Sequence, residues 1–287
     1  MINYNKPFLK WVGGKTQILN NLFELFPIEI DNYYEPFLGG GSVLIHLLSL
    51  INDKKIKING KITVSDINKE LIDTYNEIKN NPINLINELE KIKTEYLSMN
   101  NIENKKKYFY ELRELYNFKK LTNVETSALF IFLNKTCFRG IFRMGPNGFN
   151  VPFGNYKNPD IYEKNHILYL SNLFKLVQFE NYDIEVFLNK IDNFNKKDFI
   201  YFDPPYINTY DGYTKDGFKN KNKILFKKIN DNYDNLNFIL SNSENKIIDE
   251  YFDKKKYNIK IIACKRRINS KNPASKSNEI LIKKINY

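Results

Sequence analysis

Apolar and polar positions along this chain fall into two alternating registers. Short runs dense in β-branched and aromatic residues read as strands at 33–37, 62–65, 176–179, 199–202, 238–241, 259–263 and 279–282. Between several of them lie segments with helical apolar spacing, among them 40–50, 70–80 and 220–230. Strand and helix in alternation predict an α/β fold, with a mostly parallel sheet flanked by helices. The texture changes between Asn80 and Tyr169. Residues 85–117 are charged and helix-periodic and include Lys105-Lys106-Lys107, while 134–158 is rich in Gly, Asn, Pro and aromatics, as a loop or hairpin would be. The pattern predicts one discontinuous domain, 1–79 with 170–287, interrupted by a subdomain at 80–169.

Composition narrows what such a fold is for. The chain has 287 residues and a formal net charge of +11. That favours a polyanionic partner, because each Lys or Arg brought to a phosphate releases condensed counterions. The two cysteines, Cys137 and Cys264, lie far apart and form no CxxC pair, so neither a disulfide framework nor a zinc site is expected. With only His46 and His166, histidine-rich metal or triad chemistry is not expected either. The first residues lack a signal-peptide apolar core. The most apolar stretch, 36–51, is interrupted by three glycines and His46 and is too short to span a membrane. The expectation is a soluble, intracellular protein with reduced cysteines, its state as monomer or weak dimer left open.

The run 199–202 ends on Asp203-Pro204-Pro205-Tyr206. A buried strand stopped by paired prolines on a carboxylate, with an aromatic three residues on, can offer three groups to one planar amine. The carboxylate accepts one amino proton, a backbone carbonyl held by the following proline accepts the other, and the ring stacks on the base. Such acceptors let an exocyclic nitrogen, whose lone pair is delocalised, pyramidalise as it attacks. A Pro-Pro turn after a strand is the plainer reading of the same four residues.

Upstream, Glu35-Pro36-Phe37-Leu38-Gly39-Gly40-Gly41-Ser42 runs from a strand through a glycine turn into an apolar helix, which puts a ligand at the carboxyl edge of the sheet. Glycines there let the backbone approach a nucleoside closely. The spacing is not G-x-G-x-x-G. Asp66, in Ser65-Asp66-Ile67-Asn68, closes the next strand, where an α/β nucleoside site holds ribose hydroxyls; the same acid also suits capping the following helix. Gly14-Lys15-Thr16 invites a phosphate-loop reading, but position 9 is Leu where that motif needs glycine, and no strand precedes it. Trp11 and Lys15 are instead candidates for walling a ligand pocket and setting a cation near a carboxylate.

In this order, Lys10-Trp11-Val12-Gly13-Gly14-Lys15, the Glu35 to Ser42 segment, Asp66-Ile67-Asn68 and Asp203-Pro204-Pro205-Tyr206 resemble the Dam-type DNA adenine-N6 methyltransferases. Phe149-Asn150-Val151-Pro152-Phe153-Gly154 is similar to the end of that family's DNA-contacting hairpin. Leu240-Ser241-Asn242-Ser243 and Arg266-Arg267-Ile268-Asn269-Ser270 are similar to two of its later motifs, so the likeness spans nearly the whole chain. The resemblance implies a Rossmann-like sheet with an inserted, mostly helical DNA-recognition subdomain carrying a hairpin loop. It implies S-adenosyl-L-methionine as methyl donor and double-stranded DNA as partner, the target adenine turned out of the helix. Trp11 and Lys15 would border the donor; Glu35, Pro36, Phe37, Gly39, Gly41 and Ser42 would wrap it; Asp66, Ile67, Asp183 and Asp203 would complete its site. Asp203, Pro204, Pro205 and Tyr206 would form the catalytic turn. No metal is called for, since the donor's sulfonium is already a reactive leaving group. Phe138 stands where the family inserts an aromatic and Arg143 where it sets an arginine on a base, with Arg139, Asn147 and Lys105 completing the DNA-binding set. Arg139 replaces an asparagine of better-known members and Met144-Gly145 departs as well, so a GATC target is not carried over. A ribosomal RNA amino-methyltransferase and a DNA-binding protein without catalysis are the alternatives.

Overall fold

The structure, a computed structural model, describes residues 4–206, 219–265 and 276–284. It opens with α1 (Leu19–Phe23), β1 (Glu29–Ile30), β2 (Tyr33–Glu35), α2 (Ser42–Asn52), β3 (Lys57–Ile58), β4 (Ile62–Asp66) and α3 (Lys69–Asn80). A helical stretch follows: α4 (Pro82–Ser98), α5 (Ile102–Phe118) and α6 (Asn123–Thr136), then the small strands β5 (Met144–Gly145) and β6 (Gly148–Phe149), and α7 (Lys164–Phe174). Alternation then resumes through β7 (Val177–Asn181), α8 (Ile184–Leu188), β8 (Phe199–Phe202), α9 (Lys219–Asp231), β9 (Phe238–Ser243), α10 (Lys246–Tyr251), β10 (Tyr257–Lys265) and β11 (Lys276–Lys284).

All seven strands expected from the apolar pattern belong to one sheet, in the order β10-β11-β9-β8-β2-β4-β7. The pairs β2·β4, β2·β8 and β8·β9 are parallel, and β11 runs antiparallel to both β9 and β10. This is the mixed, mostly parallel α/β sheet that the alternation predicts. From β2 the chain first builds outward through β4 to β7, then returns to place β8 on the other side of β2. The connection reverses at β2 and β8, and in such sheets ligands bind beyond the carboxyl ends of the strands at that reversal.

Contacts gather the chain into two compact units, one of Met1–Gly14, Gly39–Ile45 and Asn68–Phe179, the other of Lys15–Leu38, His46–Ile67 and Glu180–Tyr287. In the second, every residue of β8 is buried, as a strand covered on both faces requires. Ile200 and Phe202 pack with Phe238, Leu240, Ile280 and Ile282 from the sheet and with Phe187, Leu225, Phe226 and Ile229 from α8 and α9. Each such side chain contributes about 1.5–3 kcal/mol on burial, so the strand that ends on Asp203 is firmly seated.

The first unit is mainly helical around α6. Every residue from Ser127 to Asn134 is buried, so this helix is enclosed on all sides. A capping box starts it: Glu125 N–H donates to the Thr122 hydroxyl at 3.3 Å, and Thr122 N–H donates to Glu125 at 2.8 Å. The helix runs on to Thr136, so Asn134 is helical and buried rather than the start of a loop. Its amide clips the Lys10 backbone, accepting from Lys10 N–H at 2.9 Å and donating to the Lys10 carbonyl at 2.8 Å. The charged stretch 85–117 resolves into two helices, because Asn101 starts α5 by accepting from Asn104 N–H.

Candidate active site

A polar cluster of the second unit forms where β8 ends. Parallel pairing of β8 with β9 sets Phe202 opposite Leu240, which brings Ser241 beside Asp203. Ser241 Oγ donates to Asp203 Oδ1 at 3.0 Å. That uses the only hydroxyl proton of Ser241, so in the 2.8 Å contact between Tyr201 and Ser241 the phenol is the donor. Lys15 Nζ donates to Asp203 Oδ2 at 2.6 Å and lies 3.7 Å from Glu279 Oε1. The Tyr206 hydroxyl donates to Glu279, and the Lys15 ammonium lies 5.2 Å from the Tyr206 ring centre. On the neighbouring strand β2, Glu35 accepts from the Tyr33 hydroxyl at 2.9 Å.

Two carboxyl groups thus share one ammonium in a largely dry place, with the carboxyl of Glu35 nearby. The Lys15 side chain is 5% exposed and that of Asp203 18%, so the turn lies at the rim of the core rather than inside it. Burial alone would lower the Lys15 pKa, but Asp203 and Glu279 outweigh it and hold the ammonium above its ordinary value. Burial raises the carboxyl of Asp203, with Lys15 and Ser241 offsetting part of the rise. Burial also pushes Glu35 up to about 8, against the Tyr33 hydrogen bond and helped by the nearby charge of Asp203. Burial and the flanking Asp203 and Glu279 push the Tyr206 phenol far up, so it stays a neutral donor. The cluster thus holds more carboxyl than ammonium groups, largely out of water.

Two further acids stand at strand ends of the same unit. Asp66 closes β4, and the carbonyls of Asp66 and Ile67 accept from the Asn181 amide at 2.9 and 3.0 Å. The capping role open to Asp66 falls instead to Asn68, whose side chain accepts from Leu71 N–H at 2.9 Å at the start of α3. Asp183 caps α8, accepting from Glu185 N–H, and is paired with Lys221 of α9 at 2.5 Å.

In the first unit, close packing accounts for the glycine turn. Gly39 and Gly41 have φ of +50° and +68°, in the left-handed region that glycine adopts without strain. A Cβ on Gly40 would lie 2.7 Å from Trp11 Cβ, and one on Gly41 2.4 Å from the Tyr75 hydroxyl. Tyr75 donates that hydroxyl to the Gly39 carbonyl at 3.2 Å, and Ser42 opens α2. Trp11 also stacks on Phe142, centroids 6.0 Å apart.

The hairpin joins β5 to β6 through Pro146 and Asn147, with Met144 opposite Phe149. Phe138 is 45% exposed on a short 3-10 turn. Arg139 has φ 58°, uncommon for a residue with a Cβ; its N–H donates to the Tyr156 hydroxyl at 3.0 Å and its guanidinium lies 5.1 Å over the Phe138 ring. Arg143 Nε donates to the Asn150 side chain at 2.7 Å. Arg143 and Asn147 are exposed. Lys105 lies over the Tyr96 ring of α4, at 5.2 Å.

The chain matches the D12 class N6 adenine-specific DNA methyltransferase family over residues 11–268. It is 38% identical over 301 residues to the type II methyltransferase M.MjaIII of Methanocaldococcus jannaschii, covering 98% of this chain and 99% of that one. The chain belongs to the D12 class of N6 adenine-specific DNA methyltransferases. Further relatives are the type II methyltransferases M1.LlaDCHI of Lactococcus lactis, 31% identical over 96% of this chain and 94% of that one, and M.CviBI of Paramecium bursaria Chlorella virus NC1A, 32% identical over 72% of each.

Of the residues expected to carry the reaction in this methyltransferase, Lys15, Glu35, Asp203 and Tyr206 come together in one cluster. Asp66 and Asp183 stand at other strand ends of the same unit, while Trp11, the glycine turn, Phe138, Arg139, Arg143, Asn147 and Lys105 belong to the first unit. Arg266 to Ser270 lies outside the described residues. Sequence reasoning missed Glu279 and Tyr33, and it singled out Ser241 without a partner. Glu279 opens a strand expected from its apolar run, but only the antiparallel register of β11, Glu279 opposite Ser243, carries it to the edge where Asp203 ends.

Proposed function

We propose that this adenine-specific DNA methyltransferase acts on a target base turned out of double-stranded DNA, with the Asp203 turn gripping its amine. The observation that carries the reading is the juxtaposition of Asp203 and Glu35 at the ends of adjacent parallel strands, with Lys15 and Tyr206 in the same cluster. Family membership implies S-adenosyl-L-methionine, which when bound supplies an electrophilic methyl group on a cationic sulfonium. The surplus of carboxyl over ammonium groups in the cluster suits such a cation.

Asp203 accepts a hydrogen bond from one N–H of the target amine; its two oxygens offer about four acceptor sites, and Lys15 and Ser241 take two. The Pro204 carbonyl accepts a hydrogen bond from the other N–H. Tyr206 stacks on the base with its hydroxyl tethered to Glu279, which fixes where the far end of the ring lies. Holding amine and methyl group in line lowers the barrier, because it replaces a bimolecular encounter by a fixed geometry. Glu35, Pro36, Phe37, Asp66, Ile67 and Asp183 are assigned to the donor, as are Trp11, Gly39, Gly41 and Ser42 on the family pattern.

Residues 80–169 are assigned to target recognition. Phe138 is exposed, as a wedge between bases must be, and Arg139, Arg143 and Asn147 have the chemistry to read guanine and adenine edges in the major groove. Lys105 is assigned to a phosphate. The test is to incubate random-sequence duplex DNA with protein and donor and map modified adenines by long-read sequencing. The expected outcome is N6-methyladenine confined to one short consensus; modification of single-stranded or structured RNA alone would overturn the reading.

A further inference from the structure

The catalytic turn has few ways to be held. Pro204 and Pro205 have no N–H, so two of its four residues offer no backbone donor. Asp203 and Tyr206 are tethered through their side chains, which leaves the peptide planes between them to be set by another group. Among the described residues Asn222 does so: its Nδ2 donates to the Pro205 carbonyl at 2.8 Å. Asn222 lies in the first part of α9 and is completely buried. Its Oδ1 is buried as well and has no hydrogen-bond partner among the described residues.

An unpaired buried acceptor costs about 1–3 kcal/mol. Asn222 lies three and four residues before Leu225 and Phe226, on the face that α9 turns to the core, where a leucine of the same shape avoids that cost. The amide is therefore explained by its donor half, not by packing. The preceding residue, Lys221, holds Asp183 at 2.5 Å, so two successive residues of α9 reach out to strand-end residues of the site. The helix itself is anchored by Leu225, Phe226 and Ile229 in the core.

We propose that Asn222 is a positioning residue for methyl transfer: by fixing the Pro205 carbonyl it aims the Pro204 carbonyl and the Tyr206 ring, the two groups that with Asp203 grip the target adenine. The inference rests on the reading of that turn given above. Asn222 touches neither donor nor base and acts only through the turn.

The test is Asn222→Leu, isosteric and without a donor, with Asn222→Gln as the conservative companion. Steady-state and single-turnover methyl transfer, calorimetric donor binding and thermal unfolding are measured on each full-length protein. Removing a positioning contact of this kind costs about 10²-fold in kcat. Asn222→Leu is expected to lose that factor with little change in KM for DNA or in donor affinity. Its Tm should stay within about 4 °C of wild type, because relief of the orphaned acceptor offsets the lost bond. Asn222→Gln, which keeps an amide donor, should recover part of the loss. Wild-type kcat in Asn222→Leu overturns the proposal, and so does a large fall in Tm with kcat per folded molecule unchanged, which marks a purely structural role. Asp203→Ala is run alongside: turnover by that variant brings down the reading of the turn itself, whatever Asn222→Leu does.

Discussion

The Asp203 turn and the hairpin between Met144 and Phe149 are built in opposite ways. At the turn, Asp203, Tyr206 and Pro205 each have a partner that is buried or nearly so, supplied by Lys15, Ser241, Glu279 and Asn222 from four separate parts of the chain. At the hairpin and the short turn before it, Phe138, Arg143 and Asn147 are exposed; the Arg139 N–H donates to Tyr156, 17 residues on, and Arg143 to Asn150, seven residues on. Transfer of a methyl group needs atoms fixed to fractions of an ångström, and long-range buried contacts provide that. Reading a base edge needs groups on display that are steered only locally. The same difference decides how much of each region a sequence reveals.

The comparison breaks most visibly at Asp203. Asp203→Ala removes the acceptor around which the cluster is organised and should lower turnover by about 10³-fold or more, while DNA affinity in a gel-shift assay stays within a few-fold. Arg143→Ala belongs to the other region and should behave differently. If its guanidinium makes a bidentate base contact, discrimination at one base pair falls by about 1–3 kcal/mol, visible as a relaxed consensus in methylation mapping. A uniform weakening across all sequences would make it a phosphate contact instead.

Smaller effects sharpen the picture. Glu279→Gln keeps a partner for the Tyr206 hydroxyl but replaces a charged acceptor by a neutral one, worth about 1 kcal/mol. Single-turnover rates should fall about fivefold, and loss of all activity would assign Glu279 a more direct part. Glu35 is read through stability rather than turnover, as a pH profile. Folded, its carboxyl holds its proton to about 8; unfolded, it titrates near 4.5. Between these values the folded state binds more protons than the unfolded one, so stability declines as pH rises through the window and the decline ends above about 8. Unfolding temperatures of Glu35→Gln should therefore vary less across that range than those of wild type. Parallel profiles for the two proteins would contradict the burial argument.

The seven strands were legible because each is a short apolar run, and the run Phe199–Phe202 is buried residue for residue as read. The order of the short motifs pointed to the family for a different reason: chemistry at one amine tolerates few substitutes for an acid, two prolines and an aromatic. Glu279 was hidden because its place depends on an antiparallel strand lying between β9 and β10, which no local pattern encodes. Asn222 was hidden by its surroundings, a helix written mostly in Lys and Asn, although its spacing to Leu225 and Phe226 put it on the apolar face. The end of α6 was misjudged because Asn134 looks like a loop residue; a buried amide clipping the Lys10 backbone overrides that preference. Arg139 occupies a left-handed backbone position that asparagine adopts more readily, a departure whose meaning for the target sequence is written in DNA contacts rather than in the chain.

The most direct measurement is the nucleoside composition of duplex DNA after incubation with donor and either wild-type or Asp203→Ala protein, read by mass spectrometry. N6-methyladenine from the wild type and none from the variant is the expected result. N6-methyladenine made by Asp203→Ala, or a methylated cytosine in place of adenine from the wild type, would contradict a catalytic turn centred on that carboxylate.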